Sequence, residues 1–527
     1  MWAARRHRRE HAGTALWAPE LGLADMRANL AVNGPELYVG TDGRRLIWAG
    51  PQQALLVLGP PRSGKTSTLV VPNVLAAPGP VLVTSTKPDV LQATLASRSR
   101  LGRCWVLDPT GTVAAPPGAE LIRWSPVQAA ISWEEALVTA RVMTVAARPH
   151  AAYGESAHWT ERAEALLAPL LHAAALAGAG VRQVMTWVLR HDLSTPVSVL
   201  GARGGNATVA AEVLVGIAAT EERERSGIFS TAAGTMAAYR SFRALDLAEF
   251  PNFDPARFPI GADTIYVCAP ARHQALVAPV VVAFLEQLRA ATHRAAASGV
   301  LRLPVTMVLD EVANVAPLPD LPAMVSEAGG QGLLVAACLQ DLSQARRRWG
   351  VEAEGFFSLF GTKVLLPGIG DLRTLEAVSR LAGEVDVPTR SLSTSAWWAA
   401  RPSAQTTYSW RRQARMPVDQ VHSLPPGTAL VIGEARPPRP VGLTPWWGYP
   451  PFSDALAEKL PARAGLPQAA TGLVPRAGTP GRPQAAEGRL PLPPSPLPGK
   501  GDDDARLDVG WRRVRGGRRL HPPPPHL

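Results

Sequence analysis

The sequence predicts an α/β fold: a parallel sheet interrupted by an all-helical insertion and followed by a Pro-rich disordered tail. Three observations carry that expectation. Short, fully apolar runs alternate with helix-length segments, the pattern of parallel strands buried on both faces. Between Trp133 and Leu247 the chain turns Ala-rich with helical periodicity and shows no strand pattern, after which the apolar runs resume. From Pro461 onward 14 of 67 residues are proline, which leaves too little apolar side chain to offset the cost of ordering.

Taken in order, ELYVGTDGRRLIWA (36–49) reads as two strands around a Thr-Asp-Gly turn. ALLVLG (54–59) is a buried strand followed by a Gly-rich loop and a helix to about Ala77, then VLVTST (81–86), a further helix, and CWVLD (104–108). The helical insertion contains WEEALVTARVMTVAAR, SAHWTERAEALLAPLLHAAALAG and SGIFSTAAGTMAAYRSF. Strands return at DTIYVCAP (263–270), PVTMVLDE (304–311), GLLVAACLQ (332–340) and TKVLLPG (362–368), with a helix over 273–297. Residues 383–415 read as irregular, and TALVIG (428–433) as the last strand.

With 527 residues the chain holds several domains at about 150 residues each, which excludes a peptide-sized binding module. Its net charge of +11 suggests a polyanionic partner, but nine of those charges sit in the opening decapeptide and in residues 461–527. The long middle is nearly neutral. Cys104, Cys268 and Cys338 lie far apart in apolar runs, which fits buried reduced thiols rather than a disulfide framework or a zinc site. No signal peptide and no uncharged apolar run of about 18 residues is visible. The chain is therefore expected in the cytoplasm, peripheral at the inner face of the membrane.

The strongest local signal is Gly59-Pro60-Pro61-Arg62-Ser63-Gly64-Lys65-Thr66, a complete G-x-x-x-x-G-K-[ST] between an apolar strand and a helix. Such a loop turns backbone N–H groups and a helix N-terminus toward phosphates. Lys65 would reach the β and γ phosphates of ATP and Thr66 would place its hydroxyl on Mg²⁺. Lys65 is one of five lysines against 49 arginines, at a position that needs a compact ammonium. The second half of the site is the acidic pair ending VTMVLDE: Asp310 to hold Mg²⁺ with Thr66, and Glu311 to polarise the attacking water. Gln340, ending the next strand, is placed to sense the γ phosphate or orient water.

With these residues the chain resembles the coupling proteins of type IV secretion and conjugation, the TraG/TraD group. The matching segments are GPPRSGKTSTLVVPNVL, VLVTSTKPDVL, WVLDPTG, LDEVANVAPLPDLPAMVSEAGGQGLLVAACLQDLSQARRRWG, GTKVLLPGIGDLRTLEAVSRLAGE, LPPGTALVIG and PVGLTPWW, in family order over about 45–447. The resemblance implies a RecA-like P-loop NTPase with an all-α inserted domain. It also implies a homo-hexameric ATPase that moves DNA without regard to sequence, and partners that include a relaxase or accessory protein and the type IV secretion channel. It divides the chain into a basic N-terminal segment (1–35), a nucleotide domain in two parts (36–130 and 251–450), the helical domain (131–250) and the tail (451–527). A region recognising a TraM-like accessory protein falls at about 304–433.

Two departures stand out against that family. Its members begin with transmembrane helices, whereas this chain opens on an Arg-rich decapeptide, so the anchor is expected to be absent or to precede Met1. Relatives often carry, where this chain has Gly329, an arginine that reaches the neighbouring subunit's γ phosphate. An arginine finger is worth about 10³ to 10⁵ in rate, so a slow ATPase is expected unless Arg272, Arg346, Arg347 or Arg348 substitutes. A surface ion pair is an equal reading for each of the four. Trp159 is read as packing, Arg225 as pairing with a nearby Glu and His158 as no metal ligand, while Lys87 and Asp89 match the family but equally read as the start of a helix. The rival functions are an ATP-binding adaptor that docks cargo without pumping, and a packaging or segregation ATPase of the same fold.

Overall fold

A computed structural model describes residues 22–148, 155–394, 404–433 and 437–460. Its strands are β1 (Tyr38–Asp42), β2 (Arg45–Trp48), β3 (Leu55–Leu58), β4 (Val81–Ser85), β5 (Cys104–Leu107), β6 (Ala119–Leu121) and β7 (Thr264–Cys268). They continue as β8 (Val305–Leu309), β9 (Leu333–Leu339), β10 (Thr362–Leu365), β11 (Glu384–Thr394), β12 (Ala404–Ala414), β13 (Thr428–Ile432) and β14 (Arg439–Gly442). Twelve of them form one sheet in the order β2-β1-β14-β13-β10-β3-β9-β8-β4-β7-β5-β6. From β10 to β6 every pairing is parallel, and from β10 out to β2 every pairing is antiparallel.

Every residue of β3, β4, β8 and β9 is buried, as their unbroken apolar runs require of strands covered on both faces. Successive residues point to opposite sides. Leu56 and Leu58 enter a core shared with the helices between β6 and β7 and with the helix Gln274–Ala297, while Leu55 and Val57 enter the core under the helices Leu23–Asn33, Val71–Ala76 and Asp89–Arg98. The helical insertion thus shares one continuous apolar core with a face of the sheet. The three cysteines are buried, and burial pushes the Cys104 and Cys268 thiols up to about 12, which leaves them inert. Within 271–297 lies the one segment, among the described residues, long and apolar enough to cross a membrane; 67% of its most apolar window is buried inside the protein.

Expectations about these elements are corrected at four places. Within 383–415, read as irregular, β11 and β12 form a long antiparallel ribbon in register from Glu384↔Ala414 to Thr394↔Ala404. Both of its faces are exposed over 384–391 and 407–413, so it lacks the one-sided alternation that marks a half-buried strand in sequence. The last strand is not β13. It is β14, a Pro- and Gly-containing stretch that joins β13 to β1, where Gly442 lets the Thr41 hydroxyl approach its carbonyl at 3.2 Å. Residues 23–33, assigned to a basic segment, form a helix burying Leu23, Met26 and Leu30 at helical spacing. Finally, 451–460 belong to the packed structure rather than to the tail. Phe452 stacks edge-on against Tyr38 at 5.0 Å, and Asp454 accepts from Leu23 N at 3.1 Å to cap that first helix. The tail from 461 and the first 21 residues lie outside the described residues.

In the helical insertion, Ser132 caps the helix Trp133–Ala147 through Glu135 N. Trp159 packs over Gly227, where an added Cβ would come within 2.5 Å of the indole. His158 and Arg162 share Glu224 at 3.9 and 3.2 Å. Arg225 does not pair with a Glu; its guanidinium donates to the carbonyls of Ala218 and Thr220, capping the end of the helix Asn206–Ala218.

Candidate nucleotide site

The carboxyl ends of β3, β9 and β8 lie side by side, and at such ends open α/β sheets bind their ligands. The loop after β3 leaves the sheet with its first peptide still paired, Gly59 N donating to Leu339 O at 3.1 Å. A Cβ on Gly59 would sit 2.7 Å from Ser63 Oγ and 2.9 Å from Leu366 Cβ, so the turn admits only glycine. Arg62 (φ +64°) and Gly64 (φ +94°) both adopt left-handed backbone, the alternation that gathers N–H groups into an anion-binding concavity. Ser63 Oγ is buried with no partner. Lys65 is buried and folds back over the loop, donating to Gly59 O at 2.5 Å and Pro60 O at 3.0 Å.

The following helix opens with one wide π turn (Thr66–Val70) before Val71–Ala76. Two buried arginines close its far end. Arg27 Nε donates to Leu75 O at 2.6 Å, and the fully buried Arg98 donates to Ala77 O at 2.5 Å, to Gly79 O at 2.7 Å and to Thr264 Oγ1 at 2.8 Å. Cations here complement the helix dipole at the end opposite the phosphate loop. Burial lowers Arg27 only to about 10, so it stays charged. Sequence reasoning misses this pair, because an Arg on an amphipathic helix reads as solvated.

The acidic half meets the loop directly. Asp310 is 6% exposed, and its Oδ2 accepts from Thr66 Oγ1 at 3.1 Å, while Thr84 of β4 donates to the Asp310 carbonyl at 2.8 Å and fixes the strand end. Burial and the neighbouring Glu311 raise the Asp310 carboxyl to about 6, against the opposing pull of Thr66 and Lys65. Thr84 went unnoticed in the sequence, although a hydroxyl ending an apolar run was there to be read. Glu311 holds left-handed backbone (φ +51°), and its carboxylate accepts from Asn314 at 3.3 Å. β9 runs between β3 and β8, so Gln340 emerges between the loop and the acidic pair; its backbone N–H is tied to Gln344 Oε1 at 2.9 Å.

Donor chemistry fits a magnesium nucleotide: an orphaned hydroxyl and a glycine-only cradle face the phosphate side, and a hydroxyl and a carboxyl already touch where a hard cation takes oxygen ligands. Of the four arginines, Arg346 is held by Asp371 at 2.8 Å and Arg348 by Pro317 O at 2.8 Å. Arg272 and Arg347 are exposed. Gly329 lies at the other end of the sheet, ahead of β9, where its ideal Cβ would meet Gln52 Cβ at 3.0 Å and Gln52 O at 3.1 Å. Among the described residues no cluster of His, Cys, Asp and Glu could hold a further metal ion.

Solved structures share this fold. The bacterial conjugative coupling protein TrwBdeltaN70, in an unbound form, aligns with a TM-score of 0.58 at 17% identity, over 80% of this chain and 92% of its own. The plasmid coupling protein TrwB in complex with ADP and Mg²⁺ aligns at 0.55 and 18% identity, over 75% of this chain and 85% of its own. TrwB with a non-hydrolysable ATP analogue aligns at 0.54 and 18%, over 75% and 86%. No curated protein sequence matches the chain. Residues 304–426, which include Asp310, Glu311 and Gln340, match the family described as the TraM recognition site of TraD and TraG. The chain shares the fold of these coupling proteins, and its residues 304–426 carry the family match. The matched region takes in β8, which ends at the acidic pair, and β9, which ends at Gln340.

Proposed function

We propose that this TraG/TraD-like chain hydrolyses ATP with Mg²⁺ and uses the energy to move DNA, without reading its sequence, toward a type IV secretion channel as a homo-hexamer peripheral to the membrane. The observation that carries the reading is the Thr66–Asp310 contact, which joins the phosphate loop to the acidic strand end in a chain of coupling-protein type. Mg²⁺, held by Thr66 and Asp310, would supply charge neutralisation on the phosphates. Lys65 leaves Gly59 O and Pro60 O for the phosphates, exchanging neutral acceptors for charged ones. Glu311 accepts the proton of the attacking water, and the left-handed backbone that aims it costs about 1 to 2 kcal/mol. Gln340 positions that water from the strand between.

A relaxase or accessory protein fits as partner through residues 304–426, and the two-part nucleotide domain with its helical insertion serves as the motor body. A second reading, a nucleotide-binding adaptor that docks cargo without pumping, is favoured by Gly329, which offers no cation to a neighbouring site. ATP turnover by the purified chain, with and without added DNA, separates the two. The motor reading expects DNA-stimulated turnover that Lys65→Ala abolishes; bound nucleotide without turnover under any DNA supports the adaptor.

A further inference from the structure

The β11–β12 ribbon is an arm of roughly 35 Å at strand rise, and every described position of both strands from 384 to 391 and 407 to 413 is exposed. A two-stranded ribbon with water on both faces is marginal by itself and gains from a partner. Its register sorts the side chains. On one face the cross-strand pairs are Asp386↔Arg412, Pro388↔Trp410 and Arg390↔Tyr408; on the other are Val387↔Arg411, Thr389↔Ser409 and Ser391↔Thr407. Trp410 is 73% and Tyr408 70% exposed, two residues apart on the same face and so about 7 Å apart along the strand. Glu384 and Asp386, the only acids of the ribbon, are both engaged by Arg412 at 3.4 and 3.9 Å near its root. Arg390 and Arg411 are left exposed beyond them.

We infer that this arm binds single-stranded nucleic acid, with bases stacking on Tyr408 and Trp410 and phosphates drawn to Arg390. Two aromatic faces at that spacing, beside a cation and hydroxyl-rich strands, form a stacking platform that tolerates any base. A protein partner would find two rings and the half-covered Val385 and Val387 in place of an apolar interface core. The inference rests on the DNA-motor reading and adds to it a grip on the strand that is remote from the phosphate loop in sequence.

The test measures binding of a fluorescein-labelled oligo(dT) to the full chain by anisotropy across a salt series, with Mg-ADP binding and sedimentation run in parallel. Tyr408→Ala/Trp410→Ala is expected to weaken oligo(dT) binding roughly tenfold or more, with Mg-ADP affinity unchanged. Arg390→Ala is expected to lower the slope of log K against log salt by about 0.7. Wild-type affinity and slope in these variants overturn the inference. So does a loss of self-association with oligo(dT) affinity intact, which assigns the arm to a neighbouring copy, and so does a loss of accessory-protein binding alone. Were the wild-type chain itself to ignore oligo(dT), the motor reading would fall, a result distinct from variants that bind as well as wild type.

Discussion

Thr66 Oγ1 donates to Asp310 Oδ2 at 3.1 Å, joining two residues 244 positions apart across the ends of β3 and β8. The contact brings a hydroxyl and a buried carboxyl to one point before any ion is considered. Removing either partner should cost Mg-dependent affinity far more than metal-free affinity. Thr66→Val and Asp310→Asn are expected to weaken nucleotide binding in Mg²⁺ by tenfold or more, and by much less in EDTA, as read by fluorescent-ADP titration. Equal losses in both buffers would deny the pair its role as magnesium ligands.

The same carboxyl sets a pH dependence whose sign is opposite to that of most carboxylates. Its folded value of about 6 exceeds its ordinary 3.8, so the folded chain binds the extra proton. The stability it contributes is fully present below 3.8, falls as pH rises toward 6, and is lost above that. Asp310→Asn should therefore be more stable than wild type without nucleotide at pH 8, by about 1 to 3 kcal/mol, with the gap closing toward pH 4. Magnesium requires the charged form, so Mg-nucleotide affinity should rise with pH through about 6. Thermal melts from about pH 4 to 8 and titrations from about pH 5 to 8, ranges that bracket the folded value, check both signs.

Glu311 sits in left-handed backbone, which an L side chain pays for and glycine does not. Glu311→Gly should stabilise the chain by about 1 kcal/mol while ending turnover. Glu311→Gln, which keeps the strain, should end turnover and hold ATP without hydrolysing it. Denaturant melts paired with single-turnover assays distinguish the two variants.

Gly329 packs against the Gln52 turn, itself at φ +59°. Gly329→Arg must push that turn aside by a few tenths of an ångström, at about 1 to 3 kcal/mol. Gln52→Gly, suited to the same φ, should recover part of the loss. If the position still serves a neighbouring site, the double variant will show faster ATP turnover than wild type; unchanged turnover in a folded double variant would give Gly329 a packing role alone.

Much of this architecture is legible in sequence wherever burial imposes a pattern. β3, β4, β8 and β9 announce themselves as apolar runs, and the loop from Gly59 to Thr66 as a motif between strand and helix. What escapes the sequence depends on contacts made elsewhere. β14 exists because Gly442 meets Thr41, the ribbon lacks a buried face to give it period two, and Phe452 is apolar in a Pro-rich context until Tyr38 covers it. The coupling of Arg27 and Arg98 to the phosphate-loop helix likewise appears only once three carbonyls converge on them.

On the motor reading, ATP hydrolysis at this site moves DNA. The most direct measurement is ATP-dependent displacement of streptavidin from a biotinylated oligonucleotide by the full chain. Wild type should strip streptavidin only when ATP and Mg²⁺ are present, and Lys65→Ala and Glu311→Gln should not strip it at all. Displacement at the same rate without ATP, or none from a wild-type chain that hydrolyses ATP and binds the strand, would contradict it.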